Sequence, residues 1–236
     1  MKFYNPFGPY ILHSEIDEES RKNSLDLILQ LDKGIKNGTI KSEGNIISGD
    51  DRTSSYEENS ISNGTMKRIP LASNSPIGNI ICSFTTDYFK QFEILNPFYD
   101  DSGSIIKHKD FTDCETHEPL VHSAWYVIME SGDFQILHAH NAPTPHAIMS
   151  GAIYLDIPKD IKSPQGNLNF TLNSHDAPLH NAHWSITPKN GDVYVWPAWL
   201  KHFVYPFKSK EKRIIISFNS IWAKEENRGV YIFKSC

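Results

Sequence analysis

The sequence predicts an all-β core with flanking helices, most simply a jelly roll. After Val121 the chain breaks into short β-rich runs separated by Gly, Pro and Asn: "AWYVIME", "FQILHAH", "IMSGAIYLDI", "GNLNFTL", "HWSITP", "DVYVWPA", "HFVYPF", "RIIISFNSIW" and "GVYIF". Many short strands with turn signals at such intervals are the mark of an antiparallel sandwich or barrel. No helix-period segment interrupts them, which disfavours a parallel α/β sheet. Asn190-Gly191-Asp192 adds a strong tight-turn signal between two of the runs.

The 236 residues suffice for one large all-β domain with additions. Hydrophobic residues make up 39% and charged residues 22%, an ordinary globular balance, and the net charge of -5 gives no general basic footprint for nucleic acid. No apolar run approaches the ~20 residues that span a bilayer. The opening "MKFYNPFGPYILHSEID" lacks the apolar core and cleavage site of a signal peptide. Cys82, Cys114 and Cys236 are scattered and odd in number, so a disulfide framework is not expected and a reducing cytoplasm is.

Before the β-rich part, "GPYIL" reads as a short strand. Asp17 to Lys33 carries Leu25, Ile28 and Leu29 at helical spacing, acids in the first turn and Gly34 as a stop, which predicts an amphipathic helix packed outside a sheet. Residues 41–65 are rich in Ser, Asn, Gly and acids and read as a long polar surface loop. A second helix is expected around Asp87 to Ile94. The whole chain, 1–236, is expected to form one domain, an N-terminal extension of about 100 residues leading into a core at about 121–222.

Ten of the eleven histidines lie after residue 100. In "FQILHAHNAPTPHAIMSG", His138 and His140 stand two apart on a strand, so their side chains project from the same face. Two imidazoles so placed can share one Fe, Zn, Cu or Ni ion, against the blander reading of two histidines on a solvated face. "PAWLKH" turns into a later strand carrying His202, which can meet the pair on one rim as a third ligand, with a position left open. His146 is assigned to the loop, and His175, His180 and His183 to polar loop positions. In "RIIISFN", Arg213, Ser217 and Asn219 share one side against Ile214, Ile216 and Phe218. An Arg on an inner face needs an anion: a carboxylate cosubstrate, or a local acid such as Glu211.

Taken together, "HAH", "SGAIYL", "GNLNF", "PKNGDVYVWPAWLKH" and "RIIISFN" resemble the 2-oxoglutarate- and Fe(II)-dependent oxygenases, in particular the small prokaryotic and phage branch. The resemblance covers roughly Trp125 to Trp222. It implies a double-stranded β-helix, with Fe(II) held by His138, His140 and His202 and Arg213 anchoring the distal carboxylate of 2-oxoglutarate. Ser217, Tyr154 and Tyr126 are implied as further cosubstrate contacts, and Gly132 as the glycine preceding the first ligand by a short strand. The family's usual acidic ligand is replaced here by His140; Asp133 and Asp156 are the nearest acids.

The implied activity is hydroxylation of an unidentified substrate, coupled to oxidative decarboxylation of 2-oxoglutarate to succinate and CO₂. Trp196, Trp199 and Phe203 are candidate wall residues. The expected setting is cytoplasmic, that of the host cell if the gene is phage-borne, with no membrane association, nucleic acid not indicated, and a homodimer compatible with the sequence. Two other readings stay open: a three-histidine cupin-type enzyme that does not use 2-oxoglutarate, and a non-catalytic jelly-roll binding protein.

Overall fold

The computed structural model describes residues 1–4, 9–40, 65–68, 74–95, 98–99, 105–106, 117–140, 147–172 and 183–224. In chain order the elements are β1 (Lys2–Tyr4), β2 (Ile11–Glu15), α1 (Glu18–Lys36), β3 (Thr65–Arg68) and α2 (Pro76–Leu95). Then come the short pair β4 (Phe98–Tyr99) and β5 (Ile105–Ile106), followed by β6 (His117–Met129), β7 (Gln135–His138), β8 (Ala147–Asp156) and β9 (Leu168–Thr171). The last four strands are β10 (His183–Ile186), β11 (Asp192–Pro197), β12 (Lys201–Val204) and β13 (Arg213–Lys224).

The eight strands from β6 onward divide between two facing sheets. The larger runs β1-β2-β11-β8-β13-β6-β3 and the smaller β10-β9-β12-β7. From β6 to β9 and again from β10 to β13 the chain passes from sheet to sheet with each strand, and all the pairings are antiparallel. This is the double-stranded β-helix, the jelly roll expected from the strand pattern.

Alternation along the central strands supplies two cores. Ala124, Tyr126 and Ile128 of β6 and Ile214, Ile216 and Phe218 of β13 face the helices, where Ile28, Ile77, Ile81 and Phe89 cover them. Trp125, Val127, Met129 and Ile215 face inward between the sheets, with Tyr154, Phe170, Trp196 and Phe207. A sheet buried on both faces requires apolar residues at successive positions, hence unbroken runs such as "YVIM" and "RIIIS".

Helix α1 begins where its sequence signals place it: Asp17 caps it by accepting from Ser20 N at 2.8 Å, and Glu18 and Glu19 occupy the first turn. Its end lies beyond the expected Gly34 stop. The helix runs to Lys36, Asn37 caps it and Gly38 takes the left-handed conformation at φ 76°. Gly34 instead lies inside the helix, where a Cβ would strike the Ile40 side chain folding back over the terminus. The second helix is also longer than expected, because its N-terminal turns from Pro76 to Thr86 bury Ile77 and Ile81 on the larger sheet. The expected polar loop falls outside the described residues up to position 64, and Thr65 already belongs to β3. "GVYIF" also lies outside them.

Candidate metal centre

His138 ends β7 and His202 lies on β12, and the two stand directly opposite each other in the antiparallel register. Side chains at such positions are close neighbours on one face, and their ring centroids are 4.2 Å apart. His140 follows β7, tied to the β11–β12 turn by its N–H donating to Ala198 O at 2.8 Å. Its ring centroid is 5.2 Å from each of the other two. One ligand atom from each of the three lies within 4.8 Å of the others. Strand pairing and one backbone bond thus bring together the three histidines named from sequence.

Each imidazole is oriented through Nδ1. His138 Nδ1 donates to Ile136 O at 2.7 Å and His202 Nδ1 to Leu200 O at 2.9 Å, the same contact to the carbonyl two residues back. His140 Nδ1 donates to Asn219 Oδ1 at 2.7 Å, with Ser150 Oγ at 3.0 Å; Ser150 Oγ also donates to Asn219 Oδ1 at 2.7 Å. An oxygen acceptor at Nδ1 fixes the tautomer that keeps the lone pair on Nε2, as ligating histidines require. Burial lowers the pKa of His138, and it holds that of His202 well below the ordinary range, with His138 and His140 adding to the effect. Both rings are therefore neutral, the form that binds a metal.

The cavity in front of the histidines is lined by Trp125, Gln135, Tyr154, Trp196, Ile215 and Ser217 among others, and no Asp or Glu is among its described lining residues. The two nearest acids have other roles. Asp133 is fully buried and accepts from Glu130 N at 2.8 Å, closing the turn before β7. Asp156 pairs with Ile214 in the sheet and does not reach the cavity. Among the described residues the donor set is three imidazoles. This chemistry suits a borderline divalent ion such as Fe(II). It differs from the two-histidine, one-carboxylate set common in non-haem iron oxygenases.

Arg213, the first residue of β13, is 0% exposed. Its Nη1 contacts Met129 Sδ at 2.9 Å and its Cζ lies 5.3 Å from the centroid of the Tyr154 ring. Nε and Nη2, which share one edge of the guanidinium, have no hydrogen-bond partner. Glu211 does not pair with it; among the described residues no carboxylate does. Burial lowers the Arg213 pKa. Tyr154 is pushed up to about 12, burial raising it and the charge of Arg213 pulling the other way. The Tyr154 ring lines the histidine cavity as well as contacting this guanidinium.

Several sequence expectations place differently. Tyr126 is on the helix-facing side of β6 and its hydroxyl donates to Asp32 Oδ1 at 3.3 Å, so it does not reach the cavity. The physical reason is parity: Trp125, one residue earlier, has the inward position, with its ring centroid 5.5 Å from that of His140. Of the three wall candidates only Trp196 lines the cavity, T-shaped against His202 at 4.9 Å and with a partnerless indole N–H. Trp199 is 54% exposed, and Phe203 faces outward against His183 and Tyr205. His183 is on strand β10 rather than in a loop, and His146, His175 and His180 lie outside the described residues. Ser150, Gln135 and Trp125 were not picked out from sequence; the signal for the first was its place in "SGAIYL", on the strand that pairs directly with the one carrying Asn219.

The fold and part of the sequence match known proteins. No curated protein matches the chain by sequence. Among solved structures, AviO1 from Streptomyces viridochromogenes Tue57 aligns with TM-score 0.54 at 11% identity, over 89% of each chain. A prolyl hydroxylase from Trichoplax adhaerens, in complex with a hypoxia inducible factor oxygen degradation domain peptide fragment, aligns with TM-score 0.53 at 14% identity, over 93% of this chain and 86% of that one. HygX from Streptomyces hygroscopicus, with nickel and 2-oxoglutarate bound, gives 0.51 at 10% identity, over 92% and 83%. Residues 123–219 match the family model described as "Putative 2OG-Fe(II) oxygenase". That span runs from the middle of β6 to Asn219 and contains all three histidines and Arg213; over it the chain is similar to that family, on a double-stranded β-helix fold.

Proposed function

We propose that the chain is a 2-oxoglutarate-dependent oxygenase whose Fe(II) is held by Nε2 of His138, His140 and His202. The observation that carries the reading is the convergence of three imidazoles, each oriented by an oxygen at Nδ1, at the smaller sheet, across from a buried Arg213 on β13 of the larger sheet whose two-nitrogen edge has no partner. When bound, the iron activates O₂ so that 2-oxoglutarate is decarboxylated to succinate and CO₂ and a substrate C–H is hydroxylated.

The protein's own residues bind and orient. The Nε/Nη2 edge of Arg213 receives the distal carboxylate of 2-oxoglutarate as a bidentate pair. Tyr154 and Ser217 flank its path, Tyr154 as a neutral phenol able to donate a hydrogen bond. Trp125, Trp196 and Ile215 keep water from the cavity, which strengthens every polar contact inside it. Among the described residues, three neutral ligands leave the centre one negative charge short of a carboxylate-containing set, a shortfall the dianionic cosubstrate offsets.

The remaining parts of the reading are a single domain over 1–236 with its catalytic core at about 121–222, a cytoplasmic setting, and a small-molecule or side-chain substrate. None of the described helices is long and apolar enough to cross a membrane. The deciding experiment mixes protein, Fe(II) and 2-oxoglutarate under O₂ and measures succinate. Slow succinate formation without substrate, abolished in His202→Ala, is expected. Absence of both turnover and 2-oxoglutarate binding overturns the reading. Turnover of a substrate that survives Arg213→Ala favours a cupin-type enzyme that does not need 2-oxoglutarate.

A further inference from the structure

His13 is the one histidine before residue 100, and it stands apart from the histidine centre. It lies on β2 opposite Tyr194 of β11, and Glu15, two residues on, stands opposite Asp192. Ile11 of β2 and Tyr194 pack in the core between the sheets. Alternation therefore turns His13, Glu15 and Asp192 to that same inner face. Opposed residues of an antiparallel pair have Cβ atoms about 5 Å apart, and one ligand atom from each of the three lies within 4.8 Å of the others. Trp196, four residues beyond Asp192 on β11, packs on His202. Roughly 13 Å of strand thus separates this cluster from the histidine centre.

Asp192 is 4% exposed. Its Oδ2 accepts from Lys189 N at 2.7 Å, which aims Oδ1 at His13 Nε2, 2.9 Å away. The His13 ring is held flat against Tyr194, with centroids 4.5 Å apart and planes 8° from parallel. An ion about 2.1 Å from an imidazole nitrogen and a carboxylate oxygen, at a right angle, sets those two atoms about 3 Å apart. The observed spacing therefore accommodates an ion in place of the shared proton. Glu15 is exposed and offers a movable third oxygen.

The charges point the same way. Two carboxylates directly opposite each other repel, and among the described residues no Lys or Arg pairs with either. Lys2, opposite His13 on β1, is exposed and unpaired among those residues. A divalent cation supplies the counter-charge, and one imidazole with two carboxylates is a donor set for Zn(II) or Mn(II).

We propose that His13, Glu15 and Asp192 form a second divalent-metal site, for Zn(II) or Mn(II), separate from the three-histidine centre. His13 Nε2, Asp192 Oδ1 and one Glu15 oxygen are its ligands, with water completing the shell. The ion ties β2, ahead of α1, to β11 of the barrel and stabilises the folded chain by binding it alone. The inference stands independently of the proposed function.

The test is equilibrium dialysis of the untagged full-length protein against Zn(II), with bound metal measured per chain. It compares wild type with His13→Gln, Glu15→Gln and His138→Ala/His202→Ala. Glutamine at 13 still donates to Asp192, and Glu15 is exposed, so neither substitution removes a contact the fold needs. Wild type should bind two ions. His13→Gln and Glu15→Gln should each weaken one of them at least about tenfold, a loss that even an orienting partner of a ligand causes, and leave the other unchanged. The His138→Ala/His202→Ala protein should keep one ion and melt at a higher temperature with added Zn(II); adding Glu15→Gln to it should abolish that rise. A single ion that is lost in His138→Ala/His202→Ala and kept in Glu15→Gln overturns the site, leaving a plain His–Asp hydrogen bond. A second ion indifferent to both His13 and Glu15 also overturns it. A single ion with the opposite dependence supports the site and overturns the proposed iron centre instead.

Discussion

His140 Nδ1 donates to Asn219 Oδ1 at 2.7 Å across 79 residues of chain. Asn219 Oδ1 also receives Ser150 Oγ, and Asn219 Nδ2 reaches Ser123 Oγ at 3.4 Å, so one amide joins β6, β8, β13 and the second residue after β7. His138 and His202 take their orientation from backbone carbonyls that no substitution can remove. His140 depends on a side chain. Asn219→Ala should therefore lower metal affinity about 10- to 100-fold while the fold persists. Asn219→Asp, which keeps the acceptor, should recover most of it. Titration with Co(II) followed by visible absorption measures both; equal affinity in wild type and Asn219→Ala would remove the orienting role.

How far the sequence disclosed this centre follows from which contacts are periodic. His138 and His140 were legible because a strand repeats every two residues, and Arg213, Ser217 and Asn219 because "RIIISFN" alternates. His202 emerged because "PAWLKH" marks a turn into a strand. What stayed hidden depends on register. Gly151 stands opposite Phe218 and Ser150 opposite Asn219, and no local pattern announces which residue of β8 meets which of β13. Tyr126 failed for a related reason: in a strand buried on both faces, aromatic residues occupy both parities and "AWY" does not say which ring points inward.

Tyr126 faces α1, so its hydroxyl serves stability rather than cosubstrate binding. Asp32 keeps Lys36 at 2.8 Å when the tyrosine hydroxyl is removed, which limits the loss. Tyr126→Phe should cost about 1 kcal/mol of unfolding free energy and leave 2-oxoglutarate affinity within twofold. Urea denaturation and cosubstrate titration of the same preparation decide it, and a large affinity loss with unchanged stability contradicts the placement.

Arg213 sets function against stability. In the ligand-free protein it is a buried cation whose Nε and Nη2 are unpaired. Arg213→Met should make that protein as stable as wild type or more stable, by on the order of 1–3 kcal/mol, because an uncompensated charge is replaced by an apolar chain. The same change should weaken 2-oxoglutarate binding by about 30-fold or more, the usual cost of removing one partner of a buried charge pair. Thermal melts with and without 2-oxoglutarate read both effects. A variant that is destabilised when free and binds normally contradicts the assignment of Arg213 as an anion anchor.

Gly151 has its place because of Phe218. The two are register partners, and a Cβ at 151 would run into the Phe218 ring in the helix-side core. Neither the β8 strand nor the ring, 0% exposed, has room to yield. Gly151→Ala should destabilise by about 1–3 kcal/mol, and Phe218→Leu in the same chain should return part of that loss, a coupling readable as a double-mutant cycle. Strict additivity of the two substitutions would show that the ring does not occupy that space.

Burial of the histidines makes stability depend on pH with a definite sign. His138 and His202 have native pKa values below the ordinary 6.5, to which they return in the unfolded chain. Between the depressed values and 6.5 the unfolded state binds protons that the native state refuses, so stability rises with pH across that window. The metal-free protein should hold its full stability above about pH 6.5 and lose it on acidification, each histidine contributing up to about 1.4 kcal/mol per pH unit. Asparagine at 202 keeps a donor for Leu200 O and cannot take up a proton, so His202→Asn should flatten the profile. Bound metal should steepen the loss at low pH, because protons and metal compete for the same Nε2 atoms. Urea unfolding at pH 7.5, 6.5 and 5.5, with and without Ni(II), tests the set; a pH-independent midpoint in the metal-free wild type would mean that these imidazoles are not held neutral by the fold.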